Sequence, residues 1–257
     1  MSNIEISDLM ERYRSISRTI QNDIQNCSRI VNTVMNRDEL TSKTSADLSS
    51  TIDILDNMKD AWGNFSSWML AITLDDLDEA RKNCAPGLID IRSKLIRSKK
   101  KIGKEFKLKN LDIAIEQDDQ AVINTYIPYF EQVLDLLIGN AAKYSNEGGS
   151  IDISYSRNAH SNNISISISS MGPMVEKFEI PFLCNDGYRG EKAKKATAQG
   201  QGKGLFIANK ICNLIYTRLT FSANPRSTFE IGGVPYSNFE AQLIIPDDVN
   251  SEPPQKS

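Results

Sequence analysis

The chain has 257 residues, 40% apolar and 25% charged, which supports one large domain or two modest ones with real cores and excludes disorder throughout. A net charge of −3 excludes a global basic field that would draw the molecule to nucleic acid. No run nears the roughly 18 apolar residues of a spanning helix, and the start, MSNIEISDLMERYR, carries acidic residues where a signal peptide has an apolar core. Cys27, Cys84, Cys184 and Cys212 are scattered without a CxxC pair. The expectation is a soluble cytoplasmic protein with reduced thiols, no structural zinc and neither membrane nor nucleic acid as partner.

From Ile6 the apolar positions run Ile6, Leu9, Tyr13, Ile16, Ile20, Ile24, Cys27, Val31 and Val34, a helical stripe with a stutter at Ile20 to Ile24. A second stripe follows the N-cap residue Ser45, through Leu48, Ile52, Leu55, Met58, Trp62, Phe65, Met69 and Ile72. The short polar turn between them, residues 37–44, predicts an antiparallel helical hairpin over 1–75. Its single apolar face is too narrow for a domain, so it either pairs with a second copy in a four-helix bundle or docks on the rest of the chain. A homodimer through these helices is the expectation.

Past the acidic patch Asp75, Asp76, Asp78 and Glu79, Pro86 starts a predicted helix through Leu88, Ile91, Leu95 and Ile102. It ends in the basic run RSKLIRSKKKIGKEFKLK, read as a solvated face rather than an RNA or membrane patch. Alternation at Leu108, Leu111, Ile113 and Ile115 then predicts a strand. A helix over 127–144 follows, then strands 150–157 and 163–170 as a hairpin across RNAHSNN. Beyond a long irregular segment come helix 203–216 and strands 217–223 and 238–245. Antiparallel strand pairs between helices imply an α+β fold, a two-layer sandwich with helices on one face of the sheet. The predicted domains are 1–75, 76–248 and a disordered tail 249–257.

Three segments carry chemistry. In DLLIGNAAKYSNEGG, Asn140, Lys143 and Tyr144 share one side of a helix, where an amide can ligate Mg²⁺ while an ammonium faces phosphate. The same residues also read as a polar helix end before a Gly-Gly turn. In GQGKGLFIANKIC, Gly200, Gly202 and Gly204 precede a helix whose free N–H groups suit an anion, with Lys203 as a mobile charge. Such a glycine turn also occurs without a nucleotide. In SSMGPMVEKFEIPFLCNDGYRG, Gly172-Pro173 is expected to break the strand, and the aperiodic residues to Gly202 read as a lid or a disordered insert containing Arg189.

In that order and spacing, the segments resemble the ATP-binding superfamily of sensor histidine kinases, gyrase, MutL and heat-shock chaperones (the GHKL or Bergerat fold), closest to the histidine-kinase branch. GNAAKYSNEGG looks like its N box, MGPMV like a worn first glycine box, PFLCNDGYRG like its aromatic box and GQGKGLFIANKI like its second glycine box. The likeness covers about 86–248, and the first hairpin more loosely resembles kinase dimerisation helices. It implies ATP and Mg²⁺ as cofactors, with Asn140 as metal ligand, Lys143 and Arg189 on phosphates and Tyr144 near the nucleotide. It also implies Gly200, Gly202 and Gly204 around the triphosphate with Lys203 and Leu205 beside them, and Gly172 opening a mobile lid over about 174–202.

The departures carry equal weight. Ser170 stands where the family's Asp accepts a bond from the adenine amino group, Met174 replaces the second glycine of that box, and Leu136 stands one turn before Asn140 where relatives place a polar residue. Asp135 is about 100 degrees round the helix and cannot substitute. Residues 1–45 contain no histidine, which excludes autophosphorylation of the usual kind, and the one histidine, His160, falls in the RNAHSNN connector. No general base is identified, so no catalytic residue is assigned. The expected function is regulatory: a Mg-ATP-dependent lid coupled to the hairpin, which binds a further protein partner. The alternatives are a protein kinase acting on a separate chain and a nucleotide-free dimeric adaptor.

Overall fold

The computed structural model describes residues 85–103, 109–117, 121–158, 161–197 and 200–246, with positions 20, 22–28, 31, 34, 51, 54, 55, 58 and 81. The chain divides into two compact units, Met1–Ile72 and Thr73–Ser257. In the first, residues 22–28 are helical, and Ile24 of the first stripe and Leu55 of the second are buried. The pairing of the stripes into a hairpin, the tail 249–257 and His160 lie outside the described residues.

The second unit opens with strand β1 (Gly87–Asp90), helix α1 (Ile91–Lys101), strands β2 (Asp112–Gln117) and β3 (Val122–Thr125) and helix α2 (Ile127–Tyr144). Strands β4 (Ser150–Arg157) and β5 (Ile164–Pro173) follow, then helices α3 (Glu191–Ala196) and α4 (Gly204–Leu214). Strands β6 (Arg218–Ala223), β7 (Phe229–Ile231) and β8 (Val234–Ile245) end the unit. Among the described residues these make a six-stranded sheet in the order β2-β4-β5-β8-β6, with β7 on β8, and a separate β1-β3 ribbon. β2 runs parallel to β4, while β4 and β5 form the expected antiparallel hairpin, Arg157 opposite Ile164.

Alternation along the strands sorts the two faces of the sheet. Ile151, Ile153, Ile166, Ile168, Leu243 and Ile245 are buried on the inner face, where α2 contributes Phe130, Val133, Leu134, Leu137 and Ile138, and α4 contributes Ile207, Ala208 and Ile211. The outer face is polar: Ser167 Oγ donates to Glu240 Oε1 at 2.8 Å and Ser169 Oγ to Asn238 Oδ1 at 2.8 Å. The helices gather on one face of the sheet, giving the two-layer α+β arrangement.

Four expectations need correction. The helix predicted from Pro86 begins only at Ile91. Residues 87–90 are instead a strand paired with β3, an element the sequence reading lacked, and Leu88 is 74% exposed rather than part of the buried stripe. Asp90 closes that strand and caps α1, its carboxylate accepting from Ser93 N at 2.9 Å. Secondly, the basic run is not simply solvated: Lys94 and Arg97 pair with Glu131, and Lys101 and Ser98 with Asp135, all on α2.

Thirdly, Gly172-Pro173 does not break β5, which continues beside β8 with Gly172 opposite Ser237 and Pro173 opposite Tyr236. Pairing with β4 stops at Ser170, and Met174 N bonds Pro235 O, so the N–H that Pro173 lacks belongs to the unpaired edge. Lastly, β8 starts at Val234 rather than 238. The cause is a two-residue turn at Gly232 and Gly233, both at positive φ (57° and 75°), which folds β7 back on β8.

The end of α2 is held from outside the helix. Lys109 Nζ donates to the carbonyls of Ala142, Lys143 and Ser145 at 3.1, 2.5 and 2.9 Å, answering oxygens that have no partner inside a helix. The Lys109 carbonyl accepts from Gly148 N at 2.8 Å, clamping the turn that follows. Replacing the ammonium in Lys109→Met is expected to lower stability by about 1 to 3 kcal/mol, read as a shift in the urea midpoint.

Candidate functional site

The last turns of α2 supply one wall of the site. Asn140 is half-buried, and among the described residues its amide has no hydrogen-bond partner. Glu131 and Asp135, the carboxylates earlier on α2, are turned toward α1 by their pairs with Lys94, Arg97 and Lys101, so neither faces Asn140. Leu136, one turn before Asn140, is half-buried and apolar.

Tyr144 packs over β5: a Cβ at Gly172 would stand 3.7 Å from Tyr144 Cβ, an ordinary contact. Gly172 thus sits within the sheet beneath Tyr144, and the lid begins beyond it. Ser170, two residues earlier on the same inner face, is 6% exposed. Ser237 stands directly opposite Gly172 on β8 and is 1% exposed, and among the described residues its Oγ has no partner. Opposed residues of an antiparallel pair share a face, so this hydroxyl belongs to the Tyr144 side. A buried hydroxyl without a partner is costly unless something else meets it. The sequence reading missed Ser237, because nothing in PYSNFEAQL separates it from other strand serines until the register with Gly172 is known.

The lid links β5 to α4 and contains the aromatic box. Its first half contains a single 3-10 turn, Ile180–Phe182, and its second half contains α3. Gly200 and Gly202 have φ of 105° and 72°, which side chains rarely adopt. The place a Cβ on Gly200 would take is filled by the Lys143 ammonium, and a Cβ on Gly202 would lie 2.5 Å from the Tyr188 carbonyl oxygen. The N-box helix, the aromatic box and the glycine segment, far apart in sequence, therefore meet. Lys143 Nζ also lies 5.6 Å from the Tyr144 ring centroid.

Arg189 takes a place of its own. Its guanidinium donates to the carbonyls of Gly200, Ala193 and Thr197 at 3.0, 3.1 and 2.5 Å, while its Nε is buried and has no partner among the described residues. In this state its charge holds the lid backbone. Lys203 stands at the N-cap of α4 and Leu205 in its first turn, half-buried. Among the described residues no side chain caps this helix, which leaves its first N–H groups open to an anion. A Cβ on Gly204 would meet nothing within 4 Å.

Neither lid-side thiol is poised for chemistry. Burial pushes Cys184 up to about 11, and buried Cys212 is raised further. Tyr188 is also raised above the usual phenol value, first by burial and then by the nearby Glu179 carboxylate. Among the described residues no group of three or more His, Cys, Asp or Glu could hold a metal, and no helix is long and apolar enough to cross a membrane.

Residues 126–238 match the family model described as histidine kinase-, DNA gyrase B- and HSP90-like ATPase. This chain carries a histidine-kinase-like ATPase domain. Over 104 residues it is 34% identical to the signal transduction histidine-protein kinase ArlS of Staphylococcus haemolyticus, covering 40% of this chain and 22% of ArlS. The chain thus spans about a fifth of that relative's length. Among solved structures, the catalytic domain of histidine kinase ThkA aligns with TM-score 0.51 at 16% identity, over 64% of this chain and 97% of that one. Full-length ShkA, in complex with AMPPNP, aligns with TM-score 0.58 at 16% identity, over 95% of this chain and 47% of ShkA. These likenesses show a shared fold.

The two glycines of the second box make opposite predictions. Gly202→Ala forces a Cβ into positive φ against the Tyr188 carbonyl and is expected to cost about 2 kcal/mol or more. Gly204→Ala enters open space at a helix start and is expected to be neutral or to stabilise by up to about 1 kcal/mol. Chemical denaturation of the two variants side by side measures the difference.

Proposed function

We propose that this chain is a Mg-ATP-binding regulatory protein of the histidine-kinase type, in which nucleotide orders the lid and the lid alters what the N-terminal helices hold. The observation that carries this reading is the meeting of the last turn of α2 with the glycine segment, Lys143 on Gly200 and Tyr144 on Gly172. That contact sets an unpaired amide at Asn140 near a cationic wall, an approach that glycine keeps free of side chains and an uncapped helix N-terminus.

The residues suit the group. Asn140 would ligate Mg²⁺, which keeps several waters and takes the rest of its ligands from phosphate oxygens, so no cluster of protein carboxylates is needed. Lys143, Lys203 and the first N–H groups of α4, from Gly204 and Leu205, would neutralise phosphate charge. Ser170 and Ser237 would offer hydroxyls to the base, each able to donate or accept. Arg189 would reach phosphate only after leaving its lid carbonyls. Bound nucleotide would supply an anionic ligand that ties lid to core, a two-state element biased by occupancy.

A cytoplasmic homodimer through the N-terminal helices, bound to a further protein, is part of the same proposal. The absence of any histidine from residues 1–45 and the lack of a carboxylate on the Asn140 side of α2 support regulation rather than self-phosphorylation. A second reading, phosphate transfer to a residue on a separate chain, is favoured by the better preservation of the phosphate side of the site than of an acceptor. Label passing from γ-phosphate of ATP to a co-purified protein would establish it.

Calorimetric titration with AMPPNP and Mg²⁺ tests the reading. Binding is expected in the parent, weakened at least about tenfold in Asn140→Ala and in Gly202→Ala, which corresponds to about 1.4 kcal/mol. Nucleotide is also expected to protect residues 174–202 from protease. No binding up to millimolar analogue in a folded protein would instead make the chain a nucleotide-free adaptor.

A further inference from the structure

Glu179 is 3% exposed, and among the described residues it is the one buried carboxylate, while no lysine or arginine is buried. No cation pairs with it there: the flanking Glu176 and Glu191 take Lys192 and Lys194. Three donors meet it instead. Its Oε2 accepts from Glu176 N at 2.9 Å, and its Oε1 accepts from Glu191 N at 3.1 Å and from Tyr188 Oη at 3.4 Å. Gly190 leaves room for it, since a Cβ there would stand 3.1 Å from Oε1.

Those donors close the loop between the 3-10 turn and α3. The loop so closed presents the Gly187–Tyr188 backbone, against which Gly202 sits, and Arg189, whose guanidinium holds the Gly200 carbonyl. One buried carboxyl group thereby fixes both neighbours of the glycine segment. A buried carboxyl group met only by N–H and O–H donors is costly unless its geometry is enforced, and the enforced geometry is that of the lid's second half.

We propose that Glu179 is a positioning residue for the phosphate cradle: by bonding the 176, 188 and 191 positions it shapes the glycine segment and so sets triphosphate affinity without touching the nucleotide. This rests on the nucleotide reading of the site.

The test uses Glu179→Gln in the full chain. A glutamine has one acceptor oxygen and one donor amine, so it must place a donor against either the Glu176 or the Glu191 amide. In nucleotide-free protein the amide left facing the glutamine NH2 group is expected to exchange hydrogen at least about tenfold faster than in the parent. AMPPNP with Mg²⁺ is expected to bind about tenfold more weakly, the loss of one charge-assisted bond, while adenosine binds as in the parent. Should Glu179→Gln fail to fold, Gly190→Ala displaces the same carboxylate from the other side, and both effects are expected in the same direction. Unchanged exchange overturns the proposal. Faster exchange with equal losses for AMPPNP and adenosine also overturns it, leaving Glu179 a general brace. Failure of the parent to bind AMPPNP rejects the nucleotide reading and the affinity claim together, whatever the exchange result.

Discussion

Lys109 gives its ammonium to three carbonyls at the end of α2, and the candidate site depends on that end keeping its place. A helix terminus leaves its last carbonyls without partners and concentrates the negative end of the helix dipole there, so a lysine from another segment answers both demands at once. The clamp extends on either side of Lys109, through Gly148 N on its carbonyl and Asp112 N on the Gly149 carbonyl. This registers β2 beside β4 and fixes the turn after the helix. Asn140, Lys143 and Tyr144 ride on the segment so held, and their positions relative to β5 follow from it.

Charge in this domain is mostly engaged internally. The acidic residues of α2 face the basic helix α1, Arg189 holds three carbonyls of the lid, and Glu179 is met by backbone N–H groups and a phenol. Lid shape is therefore set by groups that lie within the lid, while the side of α2 nearest the glycine segment keeps an amide, an ammonium and a phenol but no carboxylate. Such a site is suited to holding an anion and poorly furnished to take a proton from an acceptor. That asymmetry is what the proposed regulatory reading rests on.

The corner proposed for the base has the same character. Ser170 and Ser237 place two buried hydroxyls on the inner face of neighbouring strands, in a corner walled by Tyr144 and Gly172. Hydroxyls can donate or accept, but they carry no charge, so they orient a ligand more weakly than an ionised group would. In the proposed complex, affinity would come largely from burial and from the phosphate side.

Much of the domain was legible along the chain, because burial on one face imposes a local period. The alternation in SIDISYSR and ISISISS marks β4 and β5, and the stripe through Phe130, Val133, Leu134, Leu137 and Ile138 marks α2. The order of the glycine and N-box segments announced the kind of ATPase domain. What local pattern misread were elements whose state is decided by a distant neighbour. Leu88 and Ile91 have helical spacing, yet residues 87–90 pair with β3 because a strand partner lies there, and Pro173 stays in β5 because pairing with β4 has already stopped. Ser237 acquired meaning only through its register with Gly172, and Glu179 only through donors contributed by a loop that folds back on it. The sequence by itself determined α2, α4 and the β4-β5 hairpin and which segments could approach an anion, since periodicity and glycine freedom are properties of neighbours along the chain. Tertiary structure alone decided that Lys143 fills the space over Gly200, that Arg189 serves the lid backbone and that Lys109 closes α2. Those hydrogen bonds and contacts join residues far apart in sequence, and their geometry exists only once the sheet and helices have packed.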